Sequence, residues 1–368
     1  MTWVANCNYY INLRKYPGGP SLAQIPNGED LELLAWYGQF ARVCYNGVLG
    51  YVRADYLKPA DCGYYDTALD TVMLTSIYSY EQLMTDAQSL AQRYPDLLSI
   101  ETIGYSELGR EIPVIRIGDA EAEYHVLFHG AIHAREHMTS WLLMAMTDYW
   151  VDHNIGRYAN VCFHIIPMVN PDGVVISQTG VLTEEQREIY LRDRRLGYTY
   201  LSEAAYAATW KANGVGVDLN RNFPAGWEQI DDRTAASSQM YKGEAAFCAA
   251  EAQVLRDYTL RFPFDATVSY HATGSLIYYE YGDNTEIISQ SASLGNAVDT
   301  VSGYKLQDSD EVGVAGYKDW VMDTLEIPSI TIEIGCDPAP LVQRELYSIF
   351  VRNYRVLTAV ADWVQGEE

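Results

Sequence analysis

The sequence predicts an α/β protein whose mixed central β-sheet is covered by helices on both faces, preceded by a small all-β domain. The first sixty residues contain short strand-like stretches separated by turns. After residue 63, apolar runs bounded by turns alternate with stretches of helical length. A chain of 368 residues is long enough for two or three domains. We therefore place one domain at 1–60 and a second at 64–368, with a short linker at 59–63.

The N-terminal domain is predicted from its strands and turns. The strands are expected at residues 9–14, 31–37, 41–45 and 49–53. Asn46-Gly47, between the last two, is a strong hairpin signal. The run from Trp36 to Leu57, with its YNGxxGYV core, resembles the end of bacterial SH3-type domains. The resemblance implies a small SH3-like barrel, of the kind that often accompanies bacterial enzymes acting on cell-wall peptides.

The second domain is predicted from alternating helices and strands. A helix over 79–94 begins at a capping-box pattern, Ser79 to Gln82, and ends before Pro95. Strand and helix predictions follow along the rest of the chain. The strands are at 100–103, 112–117, 125–130, 161–169 and 329–334, and the helices are near 138–152, 286–301 and 341–364. Strands that are apolar on both sides predict a sheet buried between two layers.

Composition excludes some classes of function. The net charge of −24 repels phosphate backbones, so nucleic acid is not an expected partner. No apolar run approaches the roughly 18 residues that a membrane helix needs, and no signal peptide is visible at the N-terminus. The six cysteines form no C-x-x-C pair, so neither a zinc ribbon nor a disulfide framework is indicated.

The segment His133-Ala-Arg-Glu136-His137 carries candidate metal ligands. A catalytic zinc ion takes three protein ligands and keeps an open position for water. Two completions are possible from these residues. Either His137 is the third contact and Glu136 is the general base, as in H-x-x-E-H enzymes, or Glu136 is itself a ligand and a distant histidine completes the site.

Three further segments resemble those of zinc metallocarboxypeptidases of the carboxypeptidase A type. They are 214–224 (GVGVDLNRNFP), 269–274 (SYHATG) and 331–335 (TIEIG), and with His133-x-x-Glu136 they occur in the order that the family has. The resemblance extends over roughly residues 75 to 365. It implies one zinc ion per chain, bound by His133, Glu136 and His271, which favours the second completion.

The resemblance also implies roles for other residues of this chain. Glu333 is expected to be the general base, and Asp218 to accept a hydrogen bond from the His133 ring. Asn220 and Arg221 are expected to hold a substrate carboxylate, with Arg135 lining the same cleft.

Two positions depart from the family pattern. Lys211 stands where relatives carry an arginine that stabilises the oxyanion, so it is taken here as a substrate-binding residue whose role is open. A tyrosine that relatives carry on a loop eight residues before Asp319-Trp320 is replaced by Glu311.

The substrate is expected to be a peptide with a carboxylate beside the cleaved bond. The family sets side-chain preference at the residue before the Asp-Trp pair, which here is Lys318, and an ammonium favours an acidic side chain. The segment 210–224 is also similar to bacterial γ-D-glutamyl-diamino acid peptidases. We therefore predict hydrolysis of murein stem peptides at the γ-D-glutamyl-meso-diaminopimelate bond, with cell-wall binding through residues 1–60.

Two alternatives stay open. One is a general metallocarboxypeptidase that removes C-terminal acidic residues, and the other is a catalytically inert wall-binding protein. The expected location is extracellular or at the cell wall, with a cytoplasmic location as the alternative. The remaining histidines His125, His129 and His164 are interpreted as core or supporting residues, because they lie within predicted strands.

Overall fold

The structure is a computed structural model that describes residues 2–5, 7, 9–37, 39–59, 69, 71, 72, 75, 77–154, 158–308 and 315–366. Most of the predicted linker 59–63 and Glu311 lie outside the described residues. Within them, two sheets are present, one for each predicted domain. No helix of the described chain has the length and apolar character needed to cross a membrane.

The N-terminal sheet has seven strands in the order β3-β2-β6-β5-β4-β1-β7, and all neighbours are antiparallel. Its strands are β1 Thr2–Ala5, β2 Tyr10–Arg14, β3 Ser21–Pro26, β4 Asp30–Tyr37, β5 Phe40–Tyr45, β6 Val48–Arg53 and β7 Leu57–Pro59. Asn46 and Gly47 have φ values of 48° and 77°, as the two-residue β5–β6 hairpin turn requires. The all-β prediction is confirmed, while the SH3-type likeness stays a resemblance.

The second sheet has eight strands in the order β14-β13-β15-β12-β10-β11-β9-β8. The strands are β8 Leu98–Tyr105, β9 Glu111–Ile117, β10 Tyr124–His129, β11 Val161–Ile166, β12 Ala266–Ala272, β13 Leu276–Tyr278, β14 Lys305–Gln307 and β15 Ser329–Ile334. Four central strands, β15, β12, β10 and β11, are mutually parallel. Strand β9 is antiparallel to both of its neighbours, β11 and β8, and β13 is antiparallel to β15. The predicted mixed sheet is confirmed.

Helices cover both faces of this sheet. They are α1 Tyr80–Arg93, α2 Met138–His153, α3 Pro171–Thr179, α4 Glu184–Arg195, α5 Glu203–Ala208, α6 Ala250–Thr259, α7 Thr285–Ser302, α8 Tyr317–Trp320, α9 Leu346–Asn353 and α10 Val356–Val364. Val126 and Phe128 of β10 pack into a large apolar cluster with α1, α2, α7, α9 and α10. Leu127, on the other face, packs with residues of α6 and α8. The polar residues His129, His271 and Glu333 occupy alternate positions that share this second face.

Two local predictions are corrected. The helix expected at 341–364 is two helices, α9 and α10, separated at Tyr354 and Arg355, where Arg355 has φ −100° and ψ 0°. The Asn353 side-chain amide beside this break donates to Tyr304 Oη and to Ile349 O. The capping box of α1 is only half formed. Ser79 Oγ accepts from Gln82 N, but the Gln82 side chain donates to Asp86.

The N-terminal sheet packs on α9 and on the end of α7. Val351 of α9 belongs to the apolar cluster of the N-terminal sheet. The Arg352 guanidinium lies 4.7 Å from the Trp36 ring centroid, and Gln39 Nε2 donates to Asp337 Oδ1 at 3.0 Å. Gly303, which ends α7 with a φ of 67°, approaches Trp36 so closely that a Cβ would lie 1.8 Å from the ring. The N-terminal sheet therefore shares a packed interface with helices of the second domain.

Candidate active site

The candidate ligands lie where strands of the central sheet end. β10 ends at His129, and the chain continues through Ala131, whose φ is 47°, to His133. A 3-10 turn over Ala134–Glu136 then brings Glu136 back beside His133. His271 is the sixth residue of β12, directly opposite Glu333 on β15. Because these strands are parallel, their carboxyl ends meet at one edge, so residues far apart in sequence converge there.

The side chains of His133, Glu136 and His271 form a compact, buried group. His133 Nδ1 is 2.9 Å from Glu136 Oε1, His271 Nδ1 is 3.0 Å from Glu136 Oε2, and the two histidine Nδ1 atoms are 3.1 Å apart. Two imidazole nitrogens and a carboxylate are a donor set typical of catalytic zinc. The residues therefore fit the zinc ion that the sequence predicts. Although burial opposes ionisation, the two histidine rings hold the pKa of Glu136 below its usual range.

Asp218 lies behind His133, at the start of a 3-10 turn over Leu219–Arg221. Its Oδ1 is 3.3 Å from His133 Nε2, while its Oδ2 accepts from Met240 N and lies 3.1 Å from Lys211 Nζ. Against the effect of burial, Lys211 and the His133 ring hold the pKa of Asp218 well below its usual range. A buried carboxylate at this position fixes the ring orientation and directs Nδ1 toward the other ligands.

Glu333 faces the ligand group from β15. Burial and the nearby Glu136 charge raise its pKa well above the usual range, and Lys211 opposes that shift. Two carboxyl groups that share one buried site cannot both ionise cheaply without a cation between them. The cationic centre that this donor set suits would therefore favour the ionised form of Glu333.

A cavity of about 540 Å³ opens in front of this group, a volume suited to a small peptide. Its lining contains His133, His271, Glu333, Lys211, Asn220, Arg221 and Lys318 from the predicted site. Glu136 and Asp218 are buried behind it. Arg135 does not belong to the lining. Its Nη1 donates to Gln239 Oε1 at 3.3 Å.

Asn220 and Arg221 line the cavity and already interact with other residues of the protein. Asn220 Oδ1 accepts from Tyr317 N at 3.0 Å. Arg221 Nη1 pairs with Asp232, and its Nε lies 3.7 Å from Asp218. The Arg221 guanidinium is thus held in position by two carboxylates. A substrate carboxylate that binds Arg221 would join a network of charges with Asp218 and Asp232.

Lys318 and Asp319 form an ion pair in the cavity wall. Lys318 Nζ lies 2.8 Å from Asp319 Oδ1 and donates to Glu280 O at 2.8 Å. Each side chain is only 9% exposed, and both line the cavity. Lys318 thus lines the cavity with its ammonium paired to a neighbouring carboxylate. A substrate group that meets Lys318 meets Asp319 as well.

His137 lies outside the ligand group. It precedes α2, and burial lowers its pKa to about 4. The group of possible metal ligands at this edge of the sheet consists of His133, Glu136 and His271, without His137.

Several cavity residues were missed by the sequence analysis. They are Leu276, Tyr278, Gln307, Asp308, Gly316, Asp319 and Thr331. Most lie on or beside β13 and β14, three-residue strands whose pairing depends on the whole sheet. Such short edge strands carry too little periodicity to be placed from sequence. Asp319 had a usable signal, because it directly follows Lys318.

Comparison with known proteins identifies the family. Residues 83–348, more than half of the chain, match the zinc carboxypeptidase family model. The chain belongs to the zinc carboxypeptidase family. It is a zinc metallopeptidase, and the sequence-based assignments of family, fold and cofactor are confirmed.

Individual relatives agree with this membership. Gamma-D-glutamyl-L-diamino acid endopeptidase 1 of Lysinibacillus sphaericus is 31% identical over 287 residues, which are 74% of this chain and 69% of that protein. Carboxypeptidase B of Astacus astacus is 28% identical over 242 residues, 62% of this chain and 73% of that protein.

Solved structures agree on the fold. Thrombin-activatable fibrinolysis inhibitor superposes with a TM-score of 0.63 at 18% identity, covering 83% of both chains. Carboxypeptidase A of Helicoverpa armigera superposes with a TM-score of 0.59 at 18% identity, covering 91% of both chains. At this identity the likeness establishes the α/β fold alone.

Proposed function

We propose that this metallopeptidase hydrolyses murein stem peptides at the bond between γ-D-glutamate and meso-diaminopimelate. The observation that carries the proposal is the Lys318–Asp319 ion pair in the cavity wall. The distal centre of diaminopimelate is itself a zwitterion, with one carboxylate and one ammonium. A lysine already paired with an aspartate matches such a centre better than it matches a lone carboxylate.

The 31% identical relative supports the same substrate class, because its name describes an endopeptidase acting between γ-D-glutamate and an L-diamino acid. In the proposed complex, Asn220 and Arg221 bind the carboxylate beside the cleaved bond. Lys318 and Asp319 bind the distal centre of the same residue. The cations Arg221 and Lys318 both line the cavity that contains Glu333, so both ends of one residue have a partner.

The chemistry that we propose uses residues of this chain around a bound zinc ion. When bound, zinc lowers the pKa of a water molecule and polarises the scissile carbonyl. Glu333, which lines the cavity beside the ligand group, would take a proton from the attacking water and deliver it to the leaving amine. Asp218 keeps the His133 ring in position, and Lys211 Nζ, which lines the cavity with a 16% exposed side chain, is placed to stabilise the oxyanion.

A pair of substrates tests the proposal. The zinc-loaded protein is incubated with the tripeptide L-Ala-γ-D-Glu-meso-diaminopimelate and with the matched L-lysine tripeptide, which lacks the distal carboxylate. We expect release of diaminopimelate, identified by mass, at a kcat/KM at least tenfold above that for lysine release. Equal rates, or cleavage of neither, would contradict the proposed substrate.

A general metallocarboxypeptidase acting on acidic C-terminal residues is the second candidate. The relationship to carboxypeptidase B of Astacus astacus and the Arg221 side chain in the cavity favour it. It predicts faster release of glutamate from an α-linked peptide than of diaminopimelate from the γ-linked one. An inert wall-binding protein is disfavoured, because the three ligands and Glu333 are all present together.

Residues 1–60 are proposed to bind the cell wall, which would accord with an extracellular or wall-associated location. Exposed tyrosines on this part of the chain, including Tyr9 and Tyr16, offer apolar faces with a polar tip to carbohydrate or peptide. The full chain with Tyr9→Ser and Tyr16→Ser is expected to bind purified sacculi several-fold less than the parent protein. Equal pull-down would leave these tyrosines without a part in wall binding. Point variants are preferred to a deletion, because the N-terminal sheet shares an apolar cluster with α9.

A further inference from the structure

A second group of potential metal ligands lies at the opposite end of β10 from the active site. β10 and β11 are parallel, with His125 opposite Cys162, and His164 follows two residues after Cys162 on β11. Alternation along the strands places all three side chains on the same face of the sheet. His125 Nδ1 is 2.9 Å from His164 Nε2, and one ligand atom from each of the three residues lies within 4.8 Å of the others. From His125 to His129, at the other end of β10, the strand rises about 13 Å.

Aromatic side chains enclose this group. The Phe262 ring centroid lies 4.5 Å from that of His164 and 5.6 Å from that of His125, and Phe264 lies 4.9 Å from His164. Cys162 and His164 are fully buried. Burying polar groups in such apolar surroundings costs free energy of folding unless each group has a hydrogen-bond or metal partner.

Each histidine ring has a further partner. Tyr258 Oη lies 2.7 Å from His164 Nδ1, and the backbone of Ala122 hydrogen-bonds the His125 ring. The inner nitrogens, His125 Nδ1 and His164 Nε2, face each other beside Cys162. When His164 Nδ1 donates to Tyr258 Oη, the inner nitrogen of His164 presents a lone pair there. Metal-bound histidines have this arrangement, in which the second ring nitrogen is held by a backbone carbonyl or another oxygen. A proton shared between the two rings would also satisfy these nitrogens, but that arrangement would not involve the Cys162 thiol.

We propose that His125, Cys162 and His164 form a second metal site, which takes a zinc-class divalent ion through two imidazole nitrogens and one thiolate. On binding, the Cys162 thiol gives its proton to solvent and its sulfur forms the bond to the metal. Two imidazoles and a thiolate are ligands that zinc and its neighbours prefer over calcium or magnesium. Because the aromatic side chains enclose the site, its function is structural, and the ion fastens β10 to β11.

The dimensions allow this assignment. Tetrahedral zinc with bonds of about 2.0–2.3 Å separates its ligand atoms by roughly 3.3–3.8 Å. The two inner nitrogens at 2.9 Å must therefore open by about half an ångström, which small ring rotations provide. The active-site nitrogens of His133 and His271, at 3.1 Å, need a similar adjustment. Arg116, the register neighbour of His164 on β9, is 3.4 Å from Glu101, which offsets its charge near the site.

Cobalt(II) is the probe for this site, because it replaces zinc and its thiolate complexes absorb in the near ultraviolet by charge transfer. The full-length protein is stripped of metal, kept reduced, and loaded with Co²⁺. We expect two Co²⁺ per chain and a thiolate charge-transfer band. His271→Ala should bind one ion and keep the charge-transfer band. Cys162→Ser should also bind one ion but should lack the charge-transfer band. Cys44→Ser, which removes a thiol of the N-terminal sheet, should match the parent protein.

One Co²⁺ per chain without the band in the parent protein would overturn the proposal and leave a proton-bridged histidine pair. A band that survives Cys162→Ser would also overturn it, since another cysteine would then be the ligand. If Cys162→Ser does not fold, the stoichiometry of the parent protein and the band in His271→Ala still decide the question. None of these readouts depends on the identity of the peptide substrate.

Discussion

Two polar regions of this protein are built on opposite principles. At the carboxyl edge of the central sheet, burial and the Glu136 charge raise the pKa of Glu333, while two histidine rings hold the pKa of Glu136 below its usual range. At the interface between the N-terminal sheet and α9, Arg352 is buried between the rings of Trp36 and Tyr304, and its Nε donates to Ser302 O. The first arrangement costs stability and supplies chemistry, whereas the second contributes stability.

This difference can be tested by substitutions whose effects should separate. Variants at the sheet edge should change metal content or catalysis with little loss of folding stability. Variants at the interface should change folding stability with little effect on the cleavage of a short peptide.

Zinc binding should give the largest effect. His271→Ala removes one of three active-site ligands, and we expect it to lose the active-site metal and with it the activity. Glu136→Gln should also lose the active-site zinc, because its carboxylate contacts both histidines. His137→Ala is the matched control, and metal analysis should find the same zinc content as in the parent protein. The opposite pattern, with zinc lost in His137→Ala and kept in Glu136→Gln, would establish the H-x-x-E-H arrangement.

Glu333→Gln should lower kcat by about 10²- to 10⁴-fold, the usual contribution of a general base, while the zinc content stays equal to that of the parent protein. The amide keeps the size of the side chain and cannot take the proton from water. Steady-state kinetics on a peptide together with metal analysis measure both quantities. Retention of full activity would assign the proton transfer to another group.

The same variant should be more stable than the parent when both lack metal. The pKa of Glu333 in the folded state lies above its unfolded value because of burial and the Glu136 charge. The folded protein therefore holds more protons than the unfolded chain from about pH 4.5 upward, and its free energy of unfolding falls as pH rises through that range. Glu333→Gln removes the contribution of Glu333 to this decrease in the free energy of unfolding. Denaturant unfolding of both metal-free proteins at several pH values measures it. If the free energies of unfolding of the two proteins changed equally with pH, the proposed repulsion would be contradicted.

Trp36→Ala should lower the free energy of unfolding by about 2–3 kcal/mol, somewhat less than a fully buried tryptophan, because its ring is half-buried. It removes contacts with Trp3, Arg352 and Gly303. Tyr37→Ala, at the next position and 49% exposed, is the control and should change stability by under about 1 kcal/mol. kcat/KM for a short peptide should be unchanged in both. A large loss of activity in folded Trp36→Ala would mean that the interface affects the catalytic edge.

These regions also differ in how far the sequence predicts them. The edge was predictable because strand ends, imidazoles and carboxylates occur in recognisable patterns, so His133, Glu136, His271 and Glu333 could be named before their distances were known. The Trp36–Arg352 contact joins residues more than three hundred positions apart and depends on how the N-terminal sheet packs against α9. No local pattern encodes such a contact. The ion pair of Lys318 with Asp319 had a signal in the sequence, because the two residues are adjacent, but adjacency alone does not show that the side chains meet.

Substrate preference should show the smallest effect, and it tests whether the edge recognises its substrate by charge. Lys318→Ala removes an ammonium that is held by Asp319 Oδ1 and Glu280 O in the cavity wall. If Lys318 binds the distal carboxylate of diaminopimelate, the preference for the diaminopimelate tripeptide over the lysine tripeptide should fall by about 1–3 kcal/mol in kcat/KM. Lys318→Met is the matched control for lost volume, and the preference should fall equally in it. Asp319→Asn should lower kcat/KM for both tripeptides and leave their ratio unchanged, because both substrates carry the distal ammonium. An unchanged ratio in Lys318→Ala would show that Lys318 supports the cavity wall without contacting the substrate, and the murein proposal would then depend on the relationship to the Lysinibacillus sphaericus endopeptidase alone.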